Sequence, residues 1–127
     1  MEPLFLGLDE VLEIHRDQIE RYGGAAGVRD MRLLESALAM PMAGYGNQYF
    51  HADTYEMAAA YLFHIVQNHP FVDGNKRTAA AAALVFLELN GMKVSVTNEA
   101  LVRAVIEVAE GRLQKSGVAV FLRKGHR

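Results

Sequence analysis

His69-Pro70-Phe71-Val72-Asp73-Gly74-Asn75-Lys76-Arg77 leads directly into Thr78–Leu89, a stretch with five consecutive alanines and a single charged residue, Glu88. The second stretch reads as a helix that is apolar on every side, and such a helix is buried. Its alanines let neighbouring helices approach closely, so it is expected to be the central helix of a bundle. Asn90-Gly91 is a good C-terminal stop. The polar cluster then falls at the N-terminus of this helix, beginning near Asn75. A helix N-terminus offers unpaired backbone N–H groups and the positive end of a dipole, and both favour a phosphate. The residues alone therefore point to a phosphoryl- or nucleotidyl-handling site.

Outward from this centre, helical patterns dominate. Leu8, Val11, Leu12, His15, Ile19 and Tyr22 form one stripe of a first helix, Leu8–Tyr22, which Gly23-Gly24 stops. Asp30 caps a second helix, Met31 to Met40, which Pro41 ends. Residues 42–52 show no periodicity; their glycines and aromatics, around Gly44, Tyr45, Gly46 and Asn47, suit a mobile loop that binds an extended target peptide. Asp53 and Glu56 form a capping-box-like pair at the start of a third helix. Pro70 biases His69 away from helical dihedrals, so this helix ends near Asn68. Lys93–Val96 reads as a short strand. Thr97 caps a fifth helix, Asn98 to Glu110, and Ser116 caps a last short one through Leu122. The expected fold is all-α, a compact bundle of about six helices around a buried central helix, with residues 1–127 as a single domain. No βαβ alternation and no G-x-x-x-x-G-K-[ST] motif is present, which argues against Rossmann and P-loop architectures.

Composition sets the outer limits. The chain has 127 residues, 51% hydrophobic and 22% charged, as in an ordinary globular protein of one core. The absence of Cys excludes a disulfide framework, a thiolate nucleophile and a thiolate metal site. A net charge of −2 gives no global field for nucleic acid, and the tail Arg123-Lys124-Gly125-His126-Arg127 reads as a frayed terminus. Met1-Glu2-Pro3 lacks the pattern of a signal peptide, and no stretch is apolar and long enough to span a membrane, so a cytoplasmic protein is expected.

The segment His69–Arg77 resembles the motif of the Fic/Doc family, His-x-Phe-x-Asp/Glu-Gly/Ala-Asn-Gly/Lys-Arg, at every fixed position. The likeness extends to Arg21-Tyr22-Gly23-Gly24, to Arg29-Asp30 through Leu34-Glu35-Ser36-Ala37-Leu38, and to Phe86-Leu87 with Asn90-Gly91. Fic adenylyltransferases carry Gly before the motif Arg and a second Arg three residues after it. Here these positions hold Lys76 and Ala80, so the chain resembles the death-on-curing (Doc) branch, the toxins of toxin–antitoxin pairs. The family's inhibitory helix, Ser/Thr-x-x-x-Glu-Gly/Asn, is not supported in cis. Ser95–Glu99 is followed by Ala100, and Glu110-Gly111 is preceded by Ile106 at the Ser/Thr position. An antitoxin acting in trans is implied.

The resemblance implies a role for each motif residue. His69 is the expected general base toward an attacking hydroxyl, a task that imidazole suits near neutrality; its competing role is a hydrogen-bonded structural histidine. Asp73 is the expected Mg²⁺ ligand, with helix capping as the alternative. Phe71, Gly74 and Asn75 are expected to line the nucleotide site, Asn75 as a donor to a phosphate oxygen or else as a cap. Lys76 and Arg77 are expected to bind the nucleotide and neutralise charge on the transferred phosphoryl group; the alternative is a solvated surface pair. Lys76 fills space that Gly would leave open, and Ala80 removes a clamp for a triphosphate tail. Both favour transfer of the γ-phosphate of ATP over adenylyl transfer, the runner-up. The expected target is a Ser/Thr hydroxyl of the elongation factor that delivers aminoacyl-tRNA, with no direct nucleic-acid or membrane partner. A third reading is a non-catalytic module that only binds the antitoxin. Of the other histidines, His15 is expected at the core boundary, His64 in packing, and His51 near the cleft in reach of substrate. A His/Asp metallohydrolase is disfavoured because the chain has no His-Asp and no His-Glu-x-x-His.

Overall fold

The first helix, α1 (Leu8–Tyr22), starts where the Glu10 carboxylate accepts from the Gly7 N–H at 2.7 Å, and stops where the Gly23 N–H donates to Ile19 O with φ at 84°. These are local instructions, and they explain why the sequence pattern marked both ends. The computed structural model describes residues 2–126. Met1 and, from the basic tail, Arg127 lie outside the described residues. Helix α2 (Met31–Ala39) begins at Asp30, whose side chain accepts from the Leu33 N–H at 3.1 Å. Helix α3 (Thr54–Asn68) is capped in the same way by Asp53 on the Glu56 N–H, while Glu56 reaches back to the Ala52 N–H. Helices α4 (Asn75–Leu89), α5 (Asn98–Ala109, with Thr97 capping Ala100) and α6 (Lys115–Lys124) complete an all-helical core.

Helix α3 is the hub. It packs against α4, α6, α2 and α5, whereas α4 meets α3, α1 and α5. The expectation that the alanine-rich helix sits at the centre is therefore corrected. Met57–Leu62, Ile65 and Val66 of α3 are buried, but α4 keeps one open side where Ala80, Ala81 and Leu84 are only half buried. The buried side chains of all six helices form one cluster, with Tyr61, Phe71, Phe86 and Phe121 as its largest members. Buried Tyr61 also ties down the N-terminal segment. Its hydroxyl donates to Leu6 O at 2.9 Å and accepts from the Leu6 N–H at 2.8 Å. Burial pushes this phenol up to about 12, so it stays a donor.

Four local expectations change. Residues 42–52 are not featureless: they hold an antiparallel hairpin, β1 (Gly44–Tyr45) and β2 (Gln48–Tyr49), turning on Gly46-Asn47. Gly46 has φ at 62°, and a Cβ on Gly44 would run into Gln48 O. Lys93–Val96 forms no strand, because among the described residues no neighbouring strand offers it a ladder; instead Lys93 O accepts from the Tyr55 hydroxyl at 2.8 Å. Ser116 does not cap α6. The helix already includes Lys115, and its N-cap Gln114 makes no side-chain cap bond. Arg123 and Lys124 of the supposed frayed tail are the last turn of α6, and Arg123 pairs with Asp53 at 2.6 Å. Among the described residues no helix is long and apolar enough to cross a membrane.

Candidate active site

Helix α3 ends and α4 begins around a short loop, 69–74, and the site is built on that loop. His69 N donates to Ile65 O at 3.1 Å as the last helical bond, and His69 itself takes φ 51° and ψ 54°. Among the described residues it is the only non-glycine residue with positive φ. Pro70 O then accepts from two backbone donors, Arg29 N at 2.7 Å and Asp30 N at 3.0 Å. Val28 forms an isolated antiparallel bridge with Phe71, and Val72 N donates to Gly27 O at 3.0 Å. The segment between α1 and α2 is thus stitched along the motif loop by backbone bonds.

Phe71 and Asn75 anchor the loop from inside. The Phe71 ring is fully buried and stacks on His15 at 3.9 Å between centroids, 7° from parallel. The expectation that Phe71 touches a nucleotide is corrected, because a ring without exposed surface has none to offer. Buried Asn75 turns its amide back on the same residue: Oδ1 accepts from the Phe71 N–H and Nδ2 donates to Phe71 O, both at 2.9 Å. Its side chain is a clamp on the loop rather than a phosphate donor. What Asn75 leaves toward the cleft is its backbone N–H in the first turn of α4, where an intrahelical acceptor is missing.

Asp73 and Arg77 face the loop after α1. The Asp73 carboxylate accepts from the Gly74 N–H at 2.8 Å and the Ala25 N–H at 3.3 Å. These two bonds hold its carboxyl below the usual carboxylate range against the opposing effect of burial, and the Arg77 guanidinium adds a smaller electrostatic share. It is therefore ionised and exposed at neutral pH. His15, expected at the core boundary, is buried and donates from Nε2 to Asp73 O at 2.8 Å, so the acceptor assigns the Nε2–H tautomer. Arg77 Nη2 donates to Gly23 O at 2.9 Å, and its guanidinium lies 5.6 Å from the Tyr22 ring centroid. Gly24 is needed here: a Cβ would sit 2.7 Å from Asp73 Oδ2, and φ is 113°. Gly74 caps α4 with φ 77° and carries no side chain between the helix N-terminus and the cleft.

His69, Asp73, Gly74, Asn75, Lys76 and Arg77 line a single cleft of about 730 Å³. Its volume is in the range of small-molecule sites. The polar residues gather at the α4 N-terminus. The far walls are apolar, formed by Ala80, Ala81 and Leu84 of α4 and by Leu101, Val105 and Ile106 of α5. The hairpin residues Gly44, Tyr45, Gly46 and Asn47 are not part of this lining and are all exposed. His51 is not there either. It is buried in a separate hollow of about 300 Å³ with Glu56, Lys115 and Arg123, so its expected contact with substrate is corrected. His64 packs as expected, with Lys115 Nζ 3.1 Å from its Nε2; burial, Lys115 and His51 push the imidazole down to about 4.

Among the described residues no group of three or more His or carboxylate side chains could enclose a metal ion by itself. A single exposed, ionised carboxylate is nevertheless a donor that would suit Mg²⁺, which takes oxygen ligands and few protein carboxylates. Asp73 fits that requirement. The residues that sequence reasoning passed over are His15 and Arg29. Arg29 donates from Nε to His69 O at 2.7 Å and from Nη2 to Asn68 O at 3.0 Å. Both act on partners 39 to 58 positions away, a distance that no local pattern reports.

A model of the Fic/DOC family matches residues 5–87, which include the whole motif loop. The chain is 34% identical over 116 residues to the protein kinase doc of Escherichia phage P1, a match covering 91% of this chain and 90% of that protein. It is 43% identical over 74 residues to toxin Doc of Mycolicibacterium smegmatis, covering 58% of this chain and 57% of that protein. With the family model spanning most of the chain and a relative aligned along nearly all of it, this protein belongs to the Fic/DOC family, on its Doc branch.

Proposed function

We propose that the chain is the toxin of a toxin–antitoxin pair and transfers the γ-phosphate of ATP to a Ser/Thr hydroxyl of a protein. The observation that carries this reading is the convergence of His69, Asp73 and the Lys76-bearing first turn of α4 on one cleft. The nucleotide's terminal phosphate sits against the α4 N–H groups and the dipole end, with Lys76 as a point charge on the transferred group. His69 takes the proton of the attacking hydroxyl. As the hydroxyl oxygen bonds to the γ-phosphorus, the bond from that phosphorus to the bridging oxygen breaks, and ADP leaves with the electron pair. Asp73 would hold Mg²⁺, which when bound supplies charge neutralisation at the phosphate oxygens. Arg77, already fixed on Gly23 O and Tyr22, contributes a second cation with little freedom left to lose.

The name of the phage P1 relative, a protein kinase, supports phosphoryl over adenylyl transfer, as do Lys76 and Ala80. The name of the mycobacterial relative supports the toxin reading and with it an antitoxin in trans. For the protein substrate we adopt what the Doc resemblance implies, the elongation factor that delivers aminoacyl-tRNA, and cytoplasmic action follows from that choice. Incubation with γ-labelled or α-labelled ATP in a translation extract tests the reading. Label from γ-labelled ATP on a protein band, dependent on Mg²⁺, is the expected result. Label from α-labelled ATP overturns the phosphoryl reading in favour of adenylyl transfer. No label from either overturns the enzyme and leaves a binding module.

A further inference from the structure

We infer that Arg29 is a positioning residue for the reaction: it sets the backbone of His69 and through it the direction of the imidazole. The inference rests on His69 being the base. A residue with a Cβ adopts the left-handed region only when its surroundings impose it, and His69 is there with φ 51° and ψ 54°. The two peptide planes that flank its Cα carry the carbonyls of Asn68 and His69. The angle between those planes is what φ and ψ of His69 describe. Arg29 grips both carbonyls with one planar guanidinium, Nε on His69 O at 2.7 Å and Nη2 on Asn68 O at 3.0 Å. A rigid fork bonded to both planes holds both torsions together. The fork itself has a fixed base, because the Arg29 N–H donates to Pro70 O at 2.7 Å and the adjacent Val28 bridges Phe71.

The same carbonyls end α3, so they have no intrahelical donor and carry the negative end of its dipole. A cation there would be favourable whatever its shape, and this is the competing, purely structural role. The two roles separate by shape. Lysine keeps the charge at the end of α3 but cannot present two coplanar donors to two carbonyls. Arg29 does not line the cleft, whereas His69 does, so Arg29 has no direct route to the nucleotide or to the target hydroxyl. If the torsions relax to negative φ, the Cα–Cβ bond of His69 swings and carries the imidazole away from the first turn of α4.

The test is a kinetic cycle on Arg29→Lys, Arg29→Ala, His69→Ala and the double variant Arg29→Ala/His69→Ala, read with whichever ATP label the protein transfers. Both Arg29 variants are expected to lower kcat by about 10- to 100-fold, the scale of a displaced reacting group. KM for ATP should stay within about two-fold, and Arg29→Lys should keep the thermal midpoint without restoring kcat. In the His69→Ala background, Arg29→Ala should cause no further loss, since a positioning residue acts only through the group it positions. Full kcat in Arg29→Lys, or an equal loss in both backgrounds, overturns the inference. A second arm does not depend on the proposed reaction. The His69 Cα and Cβ chemical shifts of Arg29→Lys should move from left-handed values toward those of a negative-φ residue, and unchanged shifts overturn the inference even where neither label is transferred.

Discussion

Asn75 separates two assignments with one substitution. If its side chain clamps the loop, Asn75→Ala removes two hydrogen bonds at once, the Phe71 N–H to Oδ1 and Nδ2 to Phe71 O, each 2.9 Å long. A net contribution of about 1 kcal/mol per bond gives a loss of about 2 kcal/mol, and buried partners left unpaired raise it. Phe71 is fully buried, so water cannot readily replace the lost amide. Alanine's better helix propensity returns about 0.5 kcal/mol. The expected cost is therefore about 2–3 kcal/mol, which for a chain of this length is a fall of about 7–11 °C in thermal midpoint. Asn75→Asp keeps the acceptor for the Phe71 N–H and loses only the donor, so it should cost about half as much. Urea unfolding followed by circular dichroism gives the stability, and calorimetric titration with ATP and Mg²⁺ on the folded variant gives the affinity. The clamp predicts a large stability loss, with affinity falling only as the loop loosens. A stability change under about 0.5 kcal/mol, in the range of ordinary surface substitutions, together with a collapse of ATP affinity, would refute it and restore the phosphate-donor role.

The other expectations follow from the same contacts. His69→Ala should cut transfer by about 10²–10⁴, the usual range for a removed general base, with the thermal midpoint and ATP binding retained; full transfer by a folded variant excludes His69 as the base. Gly24→Ala drives a methyl toward Asp73 Oδ2 at a φ of 113°, so Mg²⁺-dependent nucleotide affinity should drop, and unchanged affinity would mean that this loop does not shape the carboxylate. Gly44→Ala, whose methyl would meet Gln48 O, should open the hairpin and weaken target modification while leaving ATP binding as it was; equal loss of both would give the hairpin a structural role instead. The depressed pKa of His64 has a defined sign. Folded His64 holds its proton only below about 4, whereas an unfolded histidine binds one near 6.5. Between those values the unfolded state binds more protons, so stability falls as pH drops from about 6.5 to 4; His64→Gln should flatten that slope in thermal midpoints measured across the window.

How much of this was legible in the sequence depended on the range of the interaction involved. The ends of α1 and α4 were readable because Gly23 and Asn90-Gly91 act within a turn of the helix they stop. The caps Asp30, Asp53 and Thr97 were readable for the same reason. The hub was not. An alanine run looks apolar on all sides, but its small side chains serve equally well against another helix and as the wall of a cleft, and Ala80 and Ala81 do the second. The hairpin did have a signal, a two-residue Gly46-Asn47 turn between aromatic-bearing segments, which the abundance of glycine obscured. At the site, the motif's residue types marked the cleft, yet they did not separate the side chains that face it from Phe71 and Asn75, which face inward. That separation is made by His15 from α1, which stacks on Phe71 across 56 positions of sequence, and it is invisible in a window of nine residues.

The polarity of the two helix ends explains why the arrangement suits an anion. Helix α3 brings its negative end, and α4 its positive end, to opposite sides of a short loop. Left alone, the two fields would partly cancel at the proposed phosphate site. The contacts on the loop act against that cancellation. The negative end is covered by a cation, Arg29, bonded directly to the last carbonyls of α3. The positive end is left without a capping side chain, because its N-cap is Gly74 and the nearby Asp73 carboxylate is already occupied by the Gly74 and Ala25 N–H groups. Lys76 and Arg77 then add charge of the same sign as the open end. An N-cap aspartate or serine at position 74 would stabilise α4 as an isolated helix, but it would place an acceptor where the phosphate's oxygens need donors. Glycine at position 74 is already required by the backbone, with φ at 77° and a Cβ that would lie 3.1 Å from Ile19 Cδ1, and the first-turn N–H groups it leaves uncapped are the donors that the proposed phosphate site uses.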